Sequence, residues 1–557
     1  MTRNRSIQML TAVLPLLSLG FVPSAYAQAT SEARIQELIR LTAAQVAPSQ
    51  QPGSTPAQAP SVPTLRITMD DLVKLTLDHN LNIAVQRLNP QVNDIALASL
   101  RTIYHPVIGS TLSEQSTTTP PTSVLTLGTS SAAPVASTLN YNGSISQSVE
   151  KGGGTFSASL NNFRQTSTSN TVTYDPLYRS VWTLNYTQPL LRNFKIDSNR
   201  QQIYIAKINR DMSDVQLRAT ITNTIANAQK AYWEYVYATQ AIDVAQSSLD
   251  IANRLVQDNN TRVEVGTMAP LDVVTAQTQA ATARQALVAA QATQRNDEIA
   301  LKQFIVTGTS DPNWAAHIEA LDHPDFVPQP VDIDAAIRRA LNERTDLQIV
   351  KQTLEQNAIT FRYLNDQLKP QADLGVSYGT TGIGGTGLVR STTQLGGAVS
   401  QTIPGGVNDA FSTLFARDYP AWNVGLTLSY PLGMSLQEAS VARAKVQMNQ
   451  IDTQVKQAEL QVATDVTNDA TAIRNAVEAA QAAEVSVGLA QRQLDAEQAK
   501  FEVGMSTNYN VVLAQQTLST AQQTQLRAIA NYREALVEFE RVQQTTLAGA
   551  SITILGR

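Results

Sequence analysis

The chain contains nearly the same phrase twice, VEVGTMAPLDVVTAQ at residues 263–277 and FEVGMSTNYNVVLAQ at residues 501–515. The copies lie 238 residues apart, and each places a glycine between two long stretches rich in Ala, Gln, Val and Thr. Glycine readily ends one helix and lets the chain turn back into another. The repeat therefore predicts a long helix, a turn and a second helix in each half of the chain.

The duplication extends over most of the sequence. Residues 80–83 (NLNI) match residues 344–347 (RTDL) at an offset of 264, whereas Ala206 and Ala444 keep the offset of 238. The change of 26 residues falls between Pro106 and Ala206, where the pattern is that of strands and turns. Each half is therefore predicted as helix, strands, very long helix, glycine turn and long helix.

The long helices are predicted from their apolar spacing. In the second half, apolar residues step by three or four, averaging the 3.6-residue period of a straight helix. They are Ile451, Val455, Ala458, Val462, Val466, Ala470, Ile473, Val477 and Ala480. At about 1.5 Å per residue, ~65 residues reach roughly 100 Å, which is too long for an ordinary enzyme core.

Segments with a period of two lie between the helices. Apolar and polar residues alternate around Trp182 and Tyr186, and again from Trp422 to Tyr430. One apolar and one polar face suit the wall of a membrane β-barrel, with these four aromatics at the membrane interface; the alternative is a face of a soluble β-sandwich. A further hairpin around residues 139–160 would either add strands to the wall or stand above the membrane.

The N-terminus has the pattern of an export signal. Arg3 and Arg5 precede an apolar stretch at residues 9–22, and Ala25 to Ala27 form an A-x-A cleavage site. No later run of about 18 apolar residues follows, so membrane entry would require a closed β-barrel.

Composition excludes several classes of protein. The 557 residues include no cysteine and four histidines, and 41 basic against 46 acidic residues give a net charge of -5. A disulfide scaffold and a cysteine-ligated zinc site are therefore excluded, and nucleic-acid binding has little support. Because no convergent set of titratable residues is evident, we expect no enzyme activity, no metal site and no cofactor.

The duplicated plan, with VGTMAPLDV at 265–273 and VGMSTNYNV at 503–511, resembles the TolC family of outer-membrane efflux and secretion ducts. The resemblance implies a homotrimer in outer-membrane lipid with a helical barrel in the periplasm. It also implies a passive, gated conduit that works with a periplasmic adaptor and an inner-membrane transporter in a tripartite efflux pump or type I secretion system. The competing class is a structural or adhesive coiled-coil surface protein.

The expected fold class is an internally duplicated α+β membrane protein, a trimeric outer-membrane β-barrel continuous with a long α-helical barrel. About four strands per chain are too few to close a barrel, so the chain must oligomerise, and three copies would supply twelve strands. The expected segments are a signal peptide (1–27), a partly disordered N-terminal tail (28–67), a first repeat (68–306), an equatorial linker (307–331), a second repeat (332–545) and a C-terminal equatorial segment (546–557).

The resemblance also implies functional residues. The helix tips that would dock the adaptor are Val265, Gly266, Thr267, Val503, Gly504, Met505 and Ser506. Asp272 matches an aspartate of the family's gate, but the family's aspartate ring falls on Asn510 and Leu513, and its gate arginine falls on Ser506. We therefore expect Tyr509 and Asn510 to narrow the periplasmic aperture sterically and by hydrogen bonds, with weak sensitivity to pH and divalent cations.

Overall fold

The computed structural model describes residues 63–120, 133–323, 326–391, 397–430, 432 and 435–546. The predicted signal peptide, most of the N-terminal tail and nearly all of the C-terminal segment lie outside these residues.

The described residues form two units. The smaller contains residues 63–66 and 306–319, around a two-stranded sheet of β1 (Thr64–Ile67) and β6 (His317–Ala320). Within it, the Arg66 guanidinium Nε lies 2.9 Å from a carboxylate oxygen of Glu319. The larger unit contains the long helices and the main sheet.

The helices of the larger unit repeat the predicted order. They are α1 (Met69–His79), α2 (Leu81–Gln86), α3 (Asn89–Arg101), α4 (Ser198–Glu264), α5 (Pro270–Ile305), α6 (Ile333–Glu343), α7 (Thr345–Gln367), α8 (Val407–Ala416), α9 (Leu436–Glu502) and α10 (Asn508–Val542). Helices α4 and α9 both have 67 residues and begin 238 positions apart. The predicted internal duplication is therefore confirmed at the level of whole helices.

Local sequence explains where the long helices begin and what they bury. The side chains of Asp197 and Ser435 accept hydrogen bonds from the first-turn amides of α4 and α9, which would otherwise be unsatisfied. In α9 most of the predicted apolar positions are buried, including Val462, Val466 and Ile473. The remaining positions are mostly exposed, as expected for a helix with one narrow packed seam.

The main sheet is antiparallel and contains seven strands. They are β2 (Val107–Thr118), β3 (Val135–Ser148), β4 (Thr155–Ser167), β5 (Tyr174–Pro189), β7 (Gln371–Arg390), β8 (Val399–Ile403) and β9 (Pro420–Ser429). Strands β2, β3, β4, β5 and β7 lie side by side in that order. Strand β9 pairs with the first half of β7, and β8 pairs with its far end.

The sequence predicted about four strands per chain, and the sheet has more. The hairpin of β3 and β4, for which two positions were possible, pairs with β2 on one side and β5 on the other. Strand lengths of 12, 14, 13 and 16 residues let all four pair along most of their length. The hairpin is therefore part of the same sheet, which is six strands wide.

The strand register sorts the side chains onto two faces. The apolar face carries Leu112, Tyr141, Ile145, Phe156, Leu160, Trp182, Leu184, Leu374, Val376, Tyr378, Trp422, Val424, Leu426 and Leu428. The polar face carries mainly Ser, Thr and Asn, for example Asn140, Ser159, Asn185, Ser377 and Asn423. This alternation confirms the predicted two-faced wall. Among the described residues, no helix is both long and apolar enough to cross a membrane.

Candidate functional site

The two glycine turns have the same backbone geometry. Gly266 and Gly504 have φ values of 78° and 79°, in the left-handed region that favours glycine. In each turn the amide one residue after the glycine donates to a carbonyl five residues back, at 2.9 Å for Thr267 and 2.7 Å for Met505. These bonds satisfy carbonyls at the helix end and reverse the chain within a few residues.

The predicted docking residues all lie in these turns, and most are exposed. Val265, Val503 and Met505 are exposed by 67%, 70% and 78%. Gly266, Thr267 and Gly504 are exposed as well. Ser506 is half-buried because its hydroxyl donates to the Glu497 carboxylate at 2.6 Å. The tips therefore expose apolar side chains to solvent.

Two buried asparagines connect the helix pairs at their tips. Asn259 of α4 is fully buried, and its amide nitrogen donates to the Asn508 side-chain oxygen at 3.0 Å. The Asn508 amide nitrogen in turn donates to the backbone carbonyl of Asp272 in α5, also at 3.0 Å. One hydrogen-bonded chain thus joins α4, α10 and α5; we call it the asparagine tie.

A cation–π contact lies beside the asparagine tie. The guanidinium carbon of Arg262 in α4 lies 4.4 Å from the ring centre of Phe501 in α9, and the same guanidinium donates to the Phe501 carbonyl at 3.3 Å. Phe501 also belongs to a core shared by the tips of all four long helices, with Leu255, Ala276 and Val511. Polar and apolar contacts therefore both hold the two helix pairs together here.

The sequence patterns did not predict a role for four residues at the tips, Asn259, Arg262, Phe501 and Asn508. At the offset of 238, Asn259 corresponds to Glu497 and Asn508 corresponds to Pro270. The asparagine tie therefore breaks the internal repeat and leaves no duplicated pattern. Its partners are 249 residues apart, so spacing along the chain could not pair them.

The three predicted aperture residues lie near the asparagine tie in different environments. Asp272 contributes its backbone carbonyl to it. Tyr509 is 65% exposed, and exposed Asn510 donates its side-chain amide to the Ser506 hydroxyl at 3.3 Å, within one turn. The role of these three residues in the aperture stays a prediction, because the aperture would be formed together with neighbouring copies of the chain.

Three of the four predicted interface aromatics, Trp182, Trp422 and Tyr186, lie within four residues of one another along the sheet, and Tyr430 lies further toward the helices. Trp182 packs edge-on against Tyr378 at 6.0 Å, and Trp422 pairs across the strands with Tyr378. Tyr186 lies four residues nearer the helices on β5, and Tyr430 follows the last residue of β9. From Thr380 to the level of Tyr430 is about ten residues, or roughly 25 Å at a ~40° tilt, which matches an apolar membrane band.

A row of charged groups lies where α4 meets α10. The carboxylate of Glu234 pairs with Arg527 at 2.7 Å, and that of Glu538 pairs with Lys230 and Arg541. Burial, together with the negative charge of Glu234, raises the pKa of Glu534 to about 7. Burial opposes ionisation of Glu538, but hydrogen bonds from Arg541 and Lys230 outweigh it and lower its pKa to about 2.

The fold and the paired tips define an outer-membrane protein with long helices attached to an antiparallel wall. The family model described as "Outer membrane efflux protein" matches residues 155–306 and 336–542, more than half of the chain. The chain belongs to this family.

A known outer-membrane protein is similar to the chain in sequence. Over 328 residues the chain is 26% identical to outer membrane protein TolC of Escherichia coli (strain K12), covering 58% of this chain and 61% of TolC. The chain thus spans about three fifths of the length of that relative.

Solved outer-membrane channels share the fold. VceC of Vibrio cholerae superposes with a TM-score of 0.60 at 14% identity, covering 85% of this chain and 95% of VceC. CmeC of Campylobacter jejuni gives 0.60 at 12% identity, covering 88% and 87%. The predicted family, fold class and location, the outer membrane with an extension into the periplasm, are confirmed.

Proposed function

We propose that the chain is the exit duct of a tripartite efflux pump or type I secretion system. Three copies would form one passive conduit, gated at the periplasmic helix tips. The observation that carries the proposal is the pair of exposed glycine turns at the end of two equally long helix pairs. The family and the two-faced sheet support it, whereas a coiled-coil adhesin would need neither.

The internal repeat supports closure into a ring. Helix α7 packs against α9 of its own repeat and against α4 of the other repeat. Its counterpart α3 packs against α4 but makes no comparable contact with α9 within the described chain. Likewise β7 pairs with β5, while no described strand pairs with the outer edges of their counterparts β2 and β9. A second copy would cover the helix face and the strand edges, because β9 and α9 of one copy would meet β2 and α3 of the next.

Exposed apolar side chains lie on the surface that this closure requires. They recur every three or four residues along α2 and α3, and each is exposed by between 54% and 70%. They are Leu81, Val85, Leu88, Val92 and Ile95. Such a stripe on a helix is normally covered by another helix. We assign it to α9 of the neighbouring copy, which exposes Val446 and Leu460.

Closure by three copies would give eighteen strands rather than the twelve expected from the sequence. Each sheet is six strands wide, and barrel diameter grows roughly linearly with strand number. With ~4.8 Å between strands and a ~40° tilt, the backbone radius would rise from about 12 Å to about 18 Å. The membrane part of the conduit would therefore be wide, and the helix tips would limit passage.

The asparagine tie would hold those tips closed. It joins the two helix pairs with neutral groups, so the closed state would need no acidic ring. The exposed Val265, Val503 and Met505 would bind the adaptor, whose contact would compete with this closed packing.

The test is export in cells that lack their own outer-membrane duct, supplied with this chain and a matching adaptor and transporter. Restored export that depends on both Gly266 and Gly504 supports the proposal. Stable trimers in the outer membrane that never restore export with any adaptor would contradict it.

A further inference from the structure

Helix α8 lies directly on the apolar face of the sheet. A Cβ atom added at Gly382 of β7 would lie 1.9 Å from the Ala410 carbonyl oxygen, and one at Gly384 would lie 2.4 Å from that of Gly406. The Thr413 hydroxyl accepts a hydrogen bond from the Ile383 amide at 3.0 Å. Because glycine has no side chain, the backbone of α8 can approach β7 closely at Gly382 and Gly384. These contacts fix α8 to the half of β7 that lies away from the long helices.

A cavity of about 410 Å³ opens between the C-terminal end of α8 and the apolar face. The rings of Trp182, Tyr378 and Phe415 line it, together with the polar side chains of Thr380 and Arg417. Phe415 is 78% exposed, and it stacks on Phe411 one turn earlier in α8. The cavity is therefore mainly aromatic, with two polar positions.

Neither polar side chain has a hydrogen-bond or ion-pair partner among the described residues. Thr380 is 6% exposed, and its hydroxyl has no hydrogen-bond partner among the described residues. Arg417 ends α8 with φ of 61°, is exposed, and forms no ion pair with any carboxylate in the described ranges. A buried hydroxyl left without a hydrogen bond is unfavourable, so a ligand oxygen that accepts from Thr380 would stabilise the site.

The position in the sheet decides what reaches this cavity. It opens on the apolar face at the level of Trp182 and Tyr378, where aromatic rings meet lipid headgroups. Arg164 lies on the same face of β4, four residues beyond Leu160, and adds a second cation at this end of the sheet. The medium at this level is membrane lipid, whose acyl chains suit aromatic walls and whose phosphates pair with guanidinium groups.

We propose that the cavity between α8 and the sheet binds a phosphorylated membrane lipid. An acyl chain lies against Trp182, Tyr378 and Phe415, an ester carbonyl accepts a hydrogen bond from the Thr380 hydroxyl, and the phosphate pairs with Arg417. The site is separate from the export function proposed above, and it depends only on the apolar face lying in the membrane.

The test uses the full chain purified in detergent with Trp422→Phe, so that Trp182 is the one tryptophan left in the described sheet. Dioctanoyl phosphatidic acid is titrated while tryptophan fluorescence is recorded. We expect a saturable change, with at least tenfold weaker binding in Arg417→Asn. Asparagine tolerates the left-handed conformation, so α8 should keep its end. Arg417→Lys should retain most of the affinity.

Controls separate the phosphate, the lipid and the fold. Arg179→Asn, on the polar face of β5, should bind like the parent protein. Dioctanoylglycerol, which has the chains and esters without phosphate, should bind as weakly as the Arg417→Asn protein does. Gly382→Val should displace α8 and remove binding. Equal affinity in Arg417→Asn and the parent, or a saturable response to inorganic phosphate alone, would overturn the proposal. None of these measurements depends on export.

Discussion

At Asn259 and Asn508 the helix tips bury amide groups that water does not reach. Each amide is expensive to bury alone, and the bonds between the two side chains and to the Asp272 carbonyl offset part of this cost; the Asn259 side-chain oxygen has no hydrogen-bond partner among the described residues. A neutral tie of this kind depends little on pH or divalent cations. Loss of one asparagine leaves the other unsatisfied, so the closed packing of the tips is sensitive to single substitutions.

We predict that Asn508→Ala destabilises the closed tips by about 1–3 kcal/mol, because the Asn259 amide loses its acceptor. The single-channel conductance in planar bilayers should rise and the open periods should lengthen. Asn510→Ala is the matched control, since its hydrogen bond stays within one turn. Identical conductance of Asn508→Ala and wild type would show that the asparagine tie does not hold the gate closed.

The half-buried carboxyl of Glu534 makes the free energy of unfolding depend on pH. Its folded pKa of about 7 exceeds its ordinary value of 4.5, so the folded state binds more protons between these values. The free energy of unfolding therefore falls as the pH rises through this window. Asp297 and Asp469, whose pKa values burial also raises, act in the same direction.

Glu534→Gln should flatten this dependence. Between pH 5 and pH 8 the wild-type Tm should fall, and the variant should lose less, because glutamine needs no proton to be neutral. The full shift would correspond to about 2–3 kcal/mol between pH 5 and pH 8, and solvent screening of this partly exposed carboxyl reduces it to about 1–2 kcal/mol. Glu484→Gln, at an exposed position of α9, serves as control. Parallel Tm curves for Glu534→Gln and wild type would contradict the assignment.

At the scale of elements, two helices of 67 residues carry the glycine turns far from the sheet. A Cβ atom at Gly266 or Gly504 would meet no atom within 4 Å, so the turn backbone, rather than crowding, requires glycine there. The positive φ makes other residues cost roughly 1–2 kcal/mol locally. The surrounding core belongs to the helices and is not affected by the turn residue.

Lysine at Gly266 and Gly504 together should therefore abolish adaptor docking while the trimer stays intact. The new charges would lie among exposed apolar residues that a partner must cover. Co-purification with the adaptor measures docking, and gel mobility of the unheated protein measures assembly. Gly488→Lys, on an open position of α9, is the matched control. Full export by the double variant would disprove the docking role.

At the scale of the whole molecule, the hairpin β3–β4 adds two strands to the sheet, and in the proposed trimer it would set the width of the membrane part. Strand β2 ends and β5 begins at the same end of the sheet, so removal of the two intervening strands leaves a chain that can still form a hairpin. The resulting sheet would be four strands wide. The hairpin thus widens the wall without being needed for its topology.

Deletion of residues 120–168 should convert an eighteen-stranded ring into a twelve-stranded one. The backbone radius would fall by roughly a third. The strand count from electron cryomicroscopy is the direct measurement, and conductance in an Asn508→Ala background should decrease. An intact protein with twelve strands would show that β3 and β4 do not belong to the closed wall.

Much of the fold was predictable because its causes are local. Helix length follows from the spacing of Val462, Val466 and Ile473, and the strand faces follow from the alternation around Trp182 and Trp422. The glycine turns recur at a constant offset, so the two halves of one sequence can be compared with each other. Neighbouring residues decide each of these features, and their pattern is visible in the sequence.

The sequence by itself therefore determined the duplication, the helix lengths, the two-faced strands and the exposed tips. Only the tertiary structure decided that the hairpin joins the sheet, that Asn259 meets Asn508, and that α8 lies on the apolar face. These contacts join residues far apart in the chain, and the asparagine tie breaks the internal repeat. Hydrogen-bond satisfaction and packing between residues far apart in the chain select such contacts, and this pairing leaves no periodic pattern in the sequence.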